Sequence, residues 1–403
     1  MHYFSYLKSE QDAEIFYLKP QPFTNKSSRE VLAHAVGAAL YMPAIRPRIA
    51  DELVSGKIRG LVTAIIDLED AVGDAQVEAA EKNLCQQLNR IFQLKQQEQI
   101  TDEEIPLIFV RVRTPAQMKR IIALLENSIE VISGFALPKF SLENGQQFLE
   151  LIEEYNRTKR SQAPMLYGMP ILETADVIYR ESRLDTLLGI RRLLDGHKDH
   201  VLNVRIGATD FSSLFGLRRN PDMTIYDIGV IRDCIADIIN VFGRAANPYV
   251  ISGPVWEYFK SNRVLKPLLR QTPFEEAAGR HGRLLRMDYI NGYVDGLIRE
   301  TELDKENGIL GKTIIHPSHI HPVQSMYVVT HEEYMDATSI VANSNGIAGV
   351  LKSQYENKMN EIKPHLTWAK RIILRSQIYG VLRENQSYTS LLVGTKDIEQ
   401  ALI

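Results

Sequence analysis

Cysteine is scarce: Cys85 and Cys234 are the only two in 403 residues, and no Cys-x-x-Cys spacing occurs. A disulfide framework and a cysteine zinc knuckle are therefore excluded, and the pattern suits a reducing compartment. A charge bias is also missing. Forty-seven basic residues stand against 50 acidic ones, a net charge of −3. That balance gives no electrostatic footprint for nucleic acid or for an anionic membrane. No apolar run approaches the roughly 18 residues needed to span a bilayer. The opening MHYFSYLKSEQDAE has no basic stretch followed by an apolar core, so a cytoplasmic location is expected. Low-complexity linkers and short repeats are lacking too. No Gly-x-Gly-x-x-Gly follows a strand-like run, and neither KSSREVLAH nor GRHGR forms a phosphate loop.

What is present is ample apolar mass, 44% of residues, arranged in a recurring order. Short β-type runs alternate with longer segments of helical spacing. The runs are AVGAALYMP (35–43), GLVTAIIDL (60–68), PLIFVRV (106–112) and GFALPK (134–139). They continue with MLYGMPIL (165–172), VLNVRIGA (201–208), PYVISG (248–253) and KTIIHP (312–317). Between them, Ile121, Ile122, Leu124 and Leu125 form one helical stripe, and Phe148, Leu149, Leu151 and Ile152 another. Several runs are almost wholly apolar, as parallel strands covered on both faces must be. Eight β-then-α units predict an α/β fold, a (β/α)8 TIM barrel over residues 35–325. Residues 1–34 read as an N-terminal extension, 254–309 as an insertion between strands seven and eight, and 326–403 as a C-terminal helical lid region. The basic stretch 260–286 carries interspersed glutamates. It reads as a solvated helical face, with a phosphate-facing insertion as the alternative.

Polar groups gather where these runs end: Arg46, Asp67 with Glu69 and Asp70, Arg111 with Arg113, Lys139, Glu173, Asp210, Ser252 and His316. A parallel barrel brings its C-terminal strand ends into one mouth. Ordinary turns favour Gly, Asn and Ser, whereas this set is rich in acids and bases. Glu173 and Asp210, at neighbouring strand ends, are hard carboxylates of the kind that hold Mg²⁺ or Mn²⁺ among waters. Either could instead cap the helix that follows it. Arg46, Arg111, Arg113 and Lys139 would meet a carboxylate or phosphate. The run HPSHIHP offers a rival zinc site at His316, His319 and His321, or simply a turn leaving the last strand.

In chain order, YMPAIRP, IIDLEDAV, FVRVR, ALPK, ILETADVI, IGATDFSSLFG and GKTIIHPSHIHPV resemble the signatures of the citrate lyase β-subunit group within the HpcH/HpaI aldolase superfamily, which includes malyl-CoA lyases. The resemblance runs from the first strand to about residue 325 and continues weakly through NSNGIAGVLKSQYENKMNEIKPHLTWAKRI. It implies a metal-dependent barrel that makes or breaks a carbon–carbon bond in small hydroxy or oxo acids, often as CoA thioesters. By position it implies Glu173 and Asp210 as Mg²⁺ ligands and Arg111 as the group on the substrate oxygens. Glu69 and Asp70 fall with Asp67 on the acidic strand-two motif and are expected to be catalytic, with Asp67 binding substrate. Arg46 and Lys139 match further substrate-binding basic positions, and Arg113 is expected to bind substrate as well. Arg113 stands where the family has asparagine, Leu214 where it has a second aspartate, and ISGP replaces the strand-seven aspartate. In the lid, Lys358-Met359-Asn360-Glu361 replaces Lys-Met-Ile-Asp. Glu361 is thereby the expected general acid or base, swung on the run holding Asn343, Gly346 and Gly349. The expected function is a Mg²⁺-dependent lyase or aldolase on a small acidic substrate, as a homo-oligomer. The alternatives are a thioester hydrolase or synthase using the same site, and a regulatory barrel that binds metal and anion without turnover.

Overall fold

The computed structural model describes residues 1–259, 292–346 and 349–393. The basic stretch 260–286 lies outside the described residues, and so does the chain beyond 393. The chain divides into two compact units. One holds residues 23–259 and 292–323; the other holds 2–22, 324–346 and 349–393.

Eight parallel strands make the first unit: β1 (Ala38–Pro43), β2 (Thr63–Asp67), β3 (Leu107–Arg111), β4 (Gly134–Leu137), β5 (Tyr167–Leu172), β6 (Asn203–Ile206), β7 (Val250–Ser252) and β8 (Lys312–Ile314). Each lies inside the run that the sequence marks for it. The strands neighbour one another in chain order, and β8 returns beside β1 with Ala38 opposite Lys312. Backbone bonds from Leu310 to Ile251 (2.8 Å), Gly253 to Gly311 (2.9 Å) and Thr313 to Gly253 (3.1 Å) join β7 to β8 and close the barrel. Gly311 permits this junction, since a Cβ there would lie 2.5 Å from the Gly37 carbonyl oxygen.

Every residue of β2, β3, β4 and β5 is buried, because the barrel interior covers one face and helices the other. The helices Val77–Gln96, Pro115–Leu125, Leu142–Thr158, Arg183–Gly196 and Gly229–Phe242 supply that outer layer. Helix Leu142–Thr158 begins at Ser141, whose side chain accepts from the Asn144 amide, and it buries Phe148, Leu149 and Ile152. Burial of Phe148 contributes about 2–3 kcal/mol. Helix Pro115–Leu125 buries Met118, Ile121 and Leu125 and leaves Leu124 in solvent, so its inward stripe follows the i, i+3, i+7 positions.

Lys312 points out of the barrel, where its ammonium reaches Glu300 (2.8 Å) and Asp304 (2.7 Å) of helix Gly292–Glu306. All three are fully buried. Glu300 also pairs with Arg219, whose guanidinium lies over the Trp256 ring at 4.5 Å.

The second unit pairs helix His331–Ala342 with helix Ile362–Tyr379 around Val329, Ala337, Ile340, Ile362, Ala369, Ile372 and Val381. Strand Phe16–Leu18 pairs antiparallel with Val381–Leu382. A hairpin joins Val350–Lys352 to Met359–Glu361. On it, Lys358 and Asn360 face the buried Asp336 at 2.9 and 2.8 Å, with Ser353 at 2.7 Å. Strand alternation then turns Met359 and Glu361 outward, and both are exposed. No helix among the described residues is long and apolar enough to cross a membrane.

Candidate active site

Asp67 ends β2, and the loop after it winds around its carboxylate. Oδ1 accepts from the Glu69 amide (2.9 Å) and Oδ2 from the Ala71 amide (3.1 Å). Parallel register sets Arg111 directly beside Asp67. Its Nε and Nη2 donate to the two Asp67 oxygens at 2.7 and 2.6 Å, a planar two-point pair. Nη1 turns to Glu69 (2.9 Å) and Asp70 (3.1 Å). Burial works against the Arg111 charge, yet its bonds to Asp67 outweigh that and hold its pKa up.

Lys139 completes the ring of charge. Its ammonium contacts Glu69 and lies 3.7 Å from Asp70. Its backbone is left-handed, with φ of 46°, a conformation that costs a non-glycine residue of order 1 kcal/mol or more. The strain is compensated by geometry, because the Lys139 amide donates to Glu173 Oε1 at 2.7 Å.

Glu173 follows β5 and Asp210 lies in the first turn of the short helix Ala208–Ser213 after β6. Burial, then the neighbouring Asp210, pushes the Glu173 carboxyl up to about 8. Asp210 is raised as well, chiefly by burial, and the two carboxyl groups are close enough for each to act on the other's titration. Two carboxylates held together in a sheltered mouth require either a shared proton or a cation between them. The pair therefore fits a hard divalent ion, with water or substrate oxygen completing its shell. Among the described residues no group of three or more His, Cys, Asp or Glu is arranged to hold a metal, so protein would supply two ligands.

The other sequence-marked residues stand differently. Arg46 is exposed and pairs with Glu52 at 3.0 Å, outside the acid cluster. Arg113 staples the acid loop: it donates to the carbonyls of Leu68 (2.8 Å), Glu69 (3.2 Å) and Val72 (2.5 Å) and pairs with Asp74. His316 stacks on Phe259 at 4.7 Å and caps Ser318, while the buried His319 bonds the Tyr258 carbonyl at 2.9 Å. Glu361 belongs to the second unit.

Two inward residues had no signal of their own in the sequence reading. Tyr41 lies under Arg111, its ring 5.1 Å from the guanidinium carbon. Arg205, in the middle of β6, is 1% exposed. Its position in an apolar run, two residues before Gly207, was the available clue, because period-two alternation sends it into the barrel.

Among solved structures, the chain is similar to CitE of Mycobacterium tuberculosis in complex with magnesium, acetoacetate and coenzyme A. That match has 20% identity over 85% of this chain and 99% of that one, with a TM-score of 0.51. It is also similar to a citrate lyase of Burkholderia xenovorans LB400, with 15% identity, 88% and 95% coverage and a TM-score of 0.57. These likenesses show the fold. No curated protein matches. The family model described as C-C_Bond_Lyase of the TIM-Barrel fold matches residues 30–381, and the chain belongs to that family of carbon–carbon bond lyases.

Proposed function

We propose that this protein is a Mg²⁺-dependent lyase that cleaves a carbon–carbon bond in a small hydroxy or oxo acid, or its thioester, with release of an enolate. The observation that carries the reading is the Glu173–Asp210 pair, two adjoining carboxyl groups with the Glu173 pKa raised to about 8 by burial and by its partner. These two residues would hold the ion. When bound, a divalent cation supplies Lewis-acid polarisation of a substrate carbonyl.

The rest belongs to the chain's own groups. Lys139 and Arg111 place positive charge beside the carboxylates, where it offsets negative charge developing on a substrate oxygen. Asp67 fixes Arg111, and Glu69 with Asp70 ties Arg111 to Lys139, so these donors are oriented before substrate arrives. Arg113 holds the acid loop to β3 and is in our reading a positioning residue for Glu69. Arg46, exposed in the loop after β1, serves the approach of an acidic substrate. Glu361, at the family's lid position, is proposed as the acid or base that exchanges the proton. The bound magnesium, acetoacetate and coenzyme A of the Mycobacterium tuberculosis protein support this choice of ion and substrate class.

Calorimetry with MgCl₂ tests the metal. Glu173→Gln and Asp210→Asn should each weaken binding at least tenfold, and unchanged affinity in both would remove the reading. A screen of 3-hydroxy acids and their CoA thioesters then tests the reaction. Glu361→Gln should lower whichever turnover is found at least tenfold, about 1.4 kcal/mol of barrier, with Mg²⁺ affinity unchanged.

A further inference from the structure

One layer below the acids lies a cation that has no counter-charge. Ile171, two residues before Glu173, is in register with Arg205, and Arg205 is in register with Ser252. Arg205 and Glu173 thus share the inward face of the barrel. The Arg205 Nη2 donates to Thr313 Oγ1 at 2.7 Å, and the Tyr41 phenol is close enough to bear on its charge. Nε and Nη1 are buried without a hydrogen-bond partner, and so is the hydroxyl of Ser252.

The nearby acids are already engaged. Both Asp67 oxygens bind Arg111, Glu69 binds Arg111 and Lys139, and Glu173 accepts from the Lys139 amide. The nearest like charge, Arg111, adds to burial in lowering the Arg205 pKa. An unpaired buried guanidinium is among the costlier things a core can hold, so this one calls for an anion. Its partner Thr313 is only half-buried, as are the neighbouring Tyr41 and Gly207. Solvent therefore reaches residues directly adjoining Arg205.

We propose that Arg205, with the Ser252 hydroxyl, is a carboxylate-recognition group at the floor of the site, reached past Tyr41 and Thr313. It takes the carboxylate of a short oxo or hydroxy acid whose reacting end lies at Glu173 and Asp210. The proposal rests on the function proposed above and adds the requirement that the substrate carry an ionised carboxylate on its inward end. A CoA thioester must then be attached at the other end, since a thioester carbonyl carries no charge to pair with a guanidinium.

The test uses acetoacetate, a 3-oxo carboxylate, and its uncharged methyl ester, each titrated by ligand-detected NMR against the Mg²⁺-loaded full chain. The wild type should bind acetoacetate at least tenfold tighter than the ester. Arg205→Met should abolish that preference and leave ester binding and Mg²⁺ affinity unchanged. Arg205→Lys should retain part of the preference, and Ser252→Ala should lower it severalfold, which keeps the test decisive where the methionine variant fails to fold. Equal binding of acid and ester by the wild type would overturn the proposal, as would a preference untouched in the folded Arg205 and Ser252 variants. Failure of Mg²⁺ to bind the wild type would instead remove the metal reading while leaving the anion comparison measurable without metal.

Discussion

Gly207 and Glu173 compete for one volume: a Cβ at 207 would lie 2.3 Å from Glu173 Oε2 and 2.5 Å from its Cβ. The Gly207 backbone, at φ −97° and ψ 70°, demands no left-handed conformation. The glycine is there for space. Gly207→Ala should therefore displace the Glu173 carboxylate and spare the strand. We expect Mg²⁺ affinity to fall at least tenfold by calorimetry, with about 1–3 kcal/mol lost in denaturant unfolding. Wild-type metal affinity in this variant would mean that Glu173 does not hold the ion.

Arg111 gives both its side-facing nitrogens to Asp67, which is 1% exposed. Lysine cannot reproduce that planar contact. Arg111→Lys should cost about 2–4 kcal/mol of stability, because a buried carboxylate loses its two-point partner. It should also loosen Glu69 and Asp70, which Nη1 tethers. Urea unfolding measures the first effect. A variant as stable as the wild type would show that Asp67 finds other donors.

His319 carries part of the acid sensitivity of the turn after β8, where the pKa of the buried His321 is also lowered. Burial, followed by the charge of His316, lowers the His319 pKa to about 4 from the usual 6.5. Its Nε2 faces the Tyr258 carbonyl while Nδ1 is buried without a donor, so the folded state holds the neutral ring with the proton on Nε2. The unfolded chain takes up a proton below pH 6.5 and the folded one only below about 4. Stability is thus fully present above 6.5 and is lost as the pH falls between those values. From pH 7 to 5 this residue should remove about 2 kcal/mol. His319→Gln keeps an amide donor without the titration. The stability difference between pH 7 and 5 should shrink by that amount, and parallel pH profiles for the two proteins would refute the assignment.

Lys312 neutralises two buried acids at once. Lys312→Met leaves Glu300 and Asp304 facing one another without their ammonium, and should cost about 3–5 kcal/mol in thermal or urea unfolding. Losses under 1 kcal/mol would mean that Arg219 and Tyr226, which also contact these acids, suffice.

The barrel was legible because its strands are buried on both faces. An all-apolar run such as IFV in β3 has few other places to go, and each expected run overlaps its strand. The acid cluster was legible too, since charged groups at strand ends gather in a barrel mouth. Which way each one turns was not. Arg111 and Arg113 lie two residues apart on the same run, yet one lies in the acid cluster and the other is bound to the carbonyls of a loop. That choice depends on carbonyls placed by the fold, which no spacing encodes. Arg205 escaped because a lone charge within VRI resembles an outward strand residue. Only knowing which residues of β6 alternate inward, fixed by the register with Ile171 and Ser252, places it inside.

The seam between β7 and β8 also has a consequence for how the chain is made. Ser252 ends one strand and Lys312 begins the other, so about 60 residues must leave the ribosome between them. At 5–20 residues per second that interval is roughly 3–12 s. Throughout it, β1 and β7 each present a strand edge with unsatisfied amides and carbonyls. A nascent chain paused before Lys312 is thus an open sheet with two adhesive margins, and chains truncated there should aggregate during translation while chains carried past Ile314 close upon themselves.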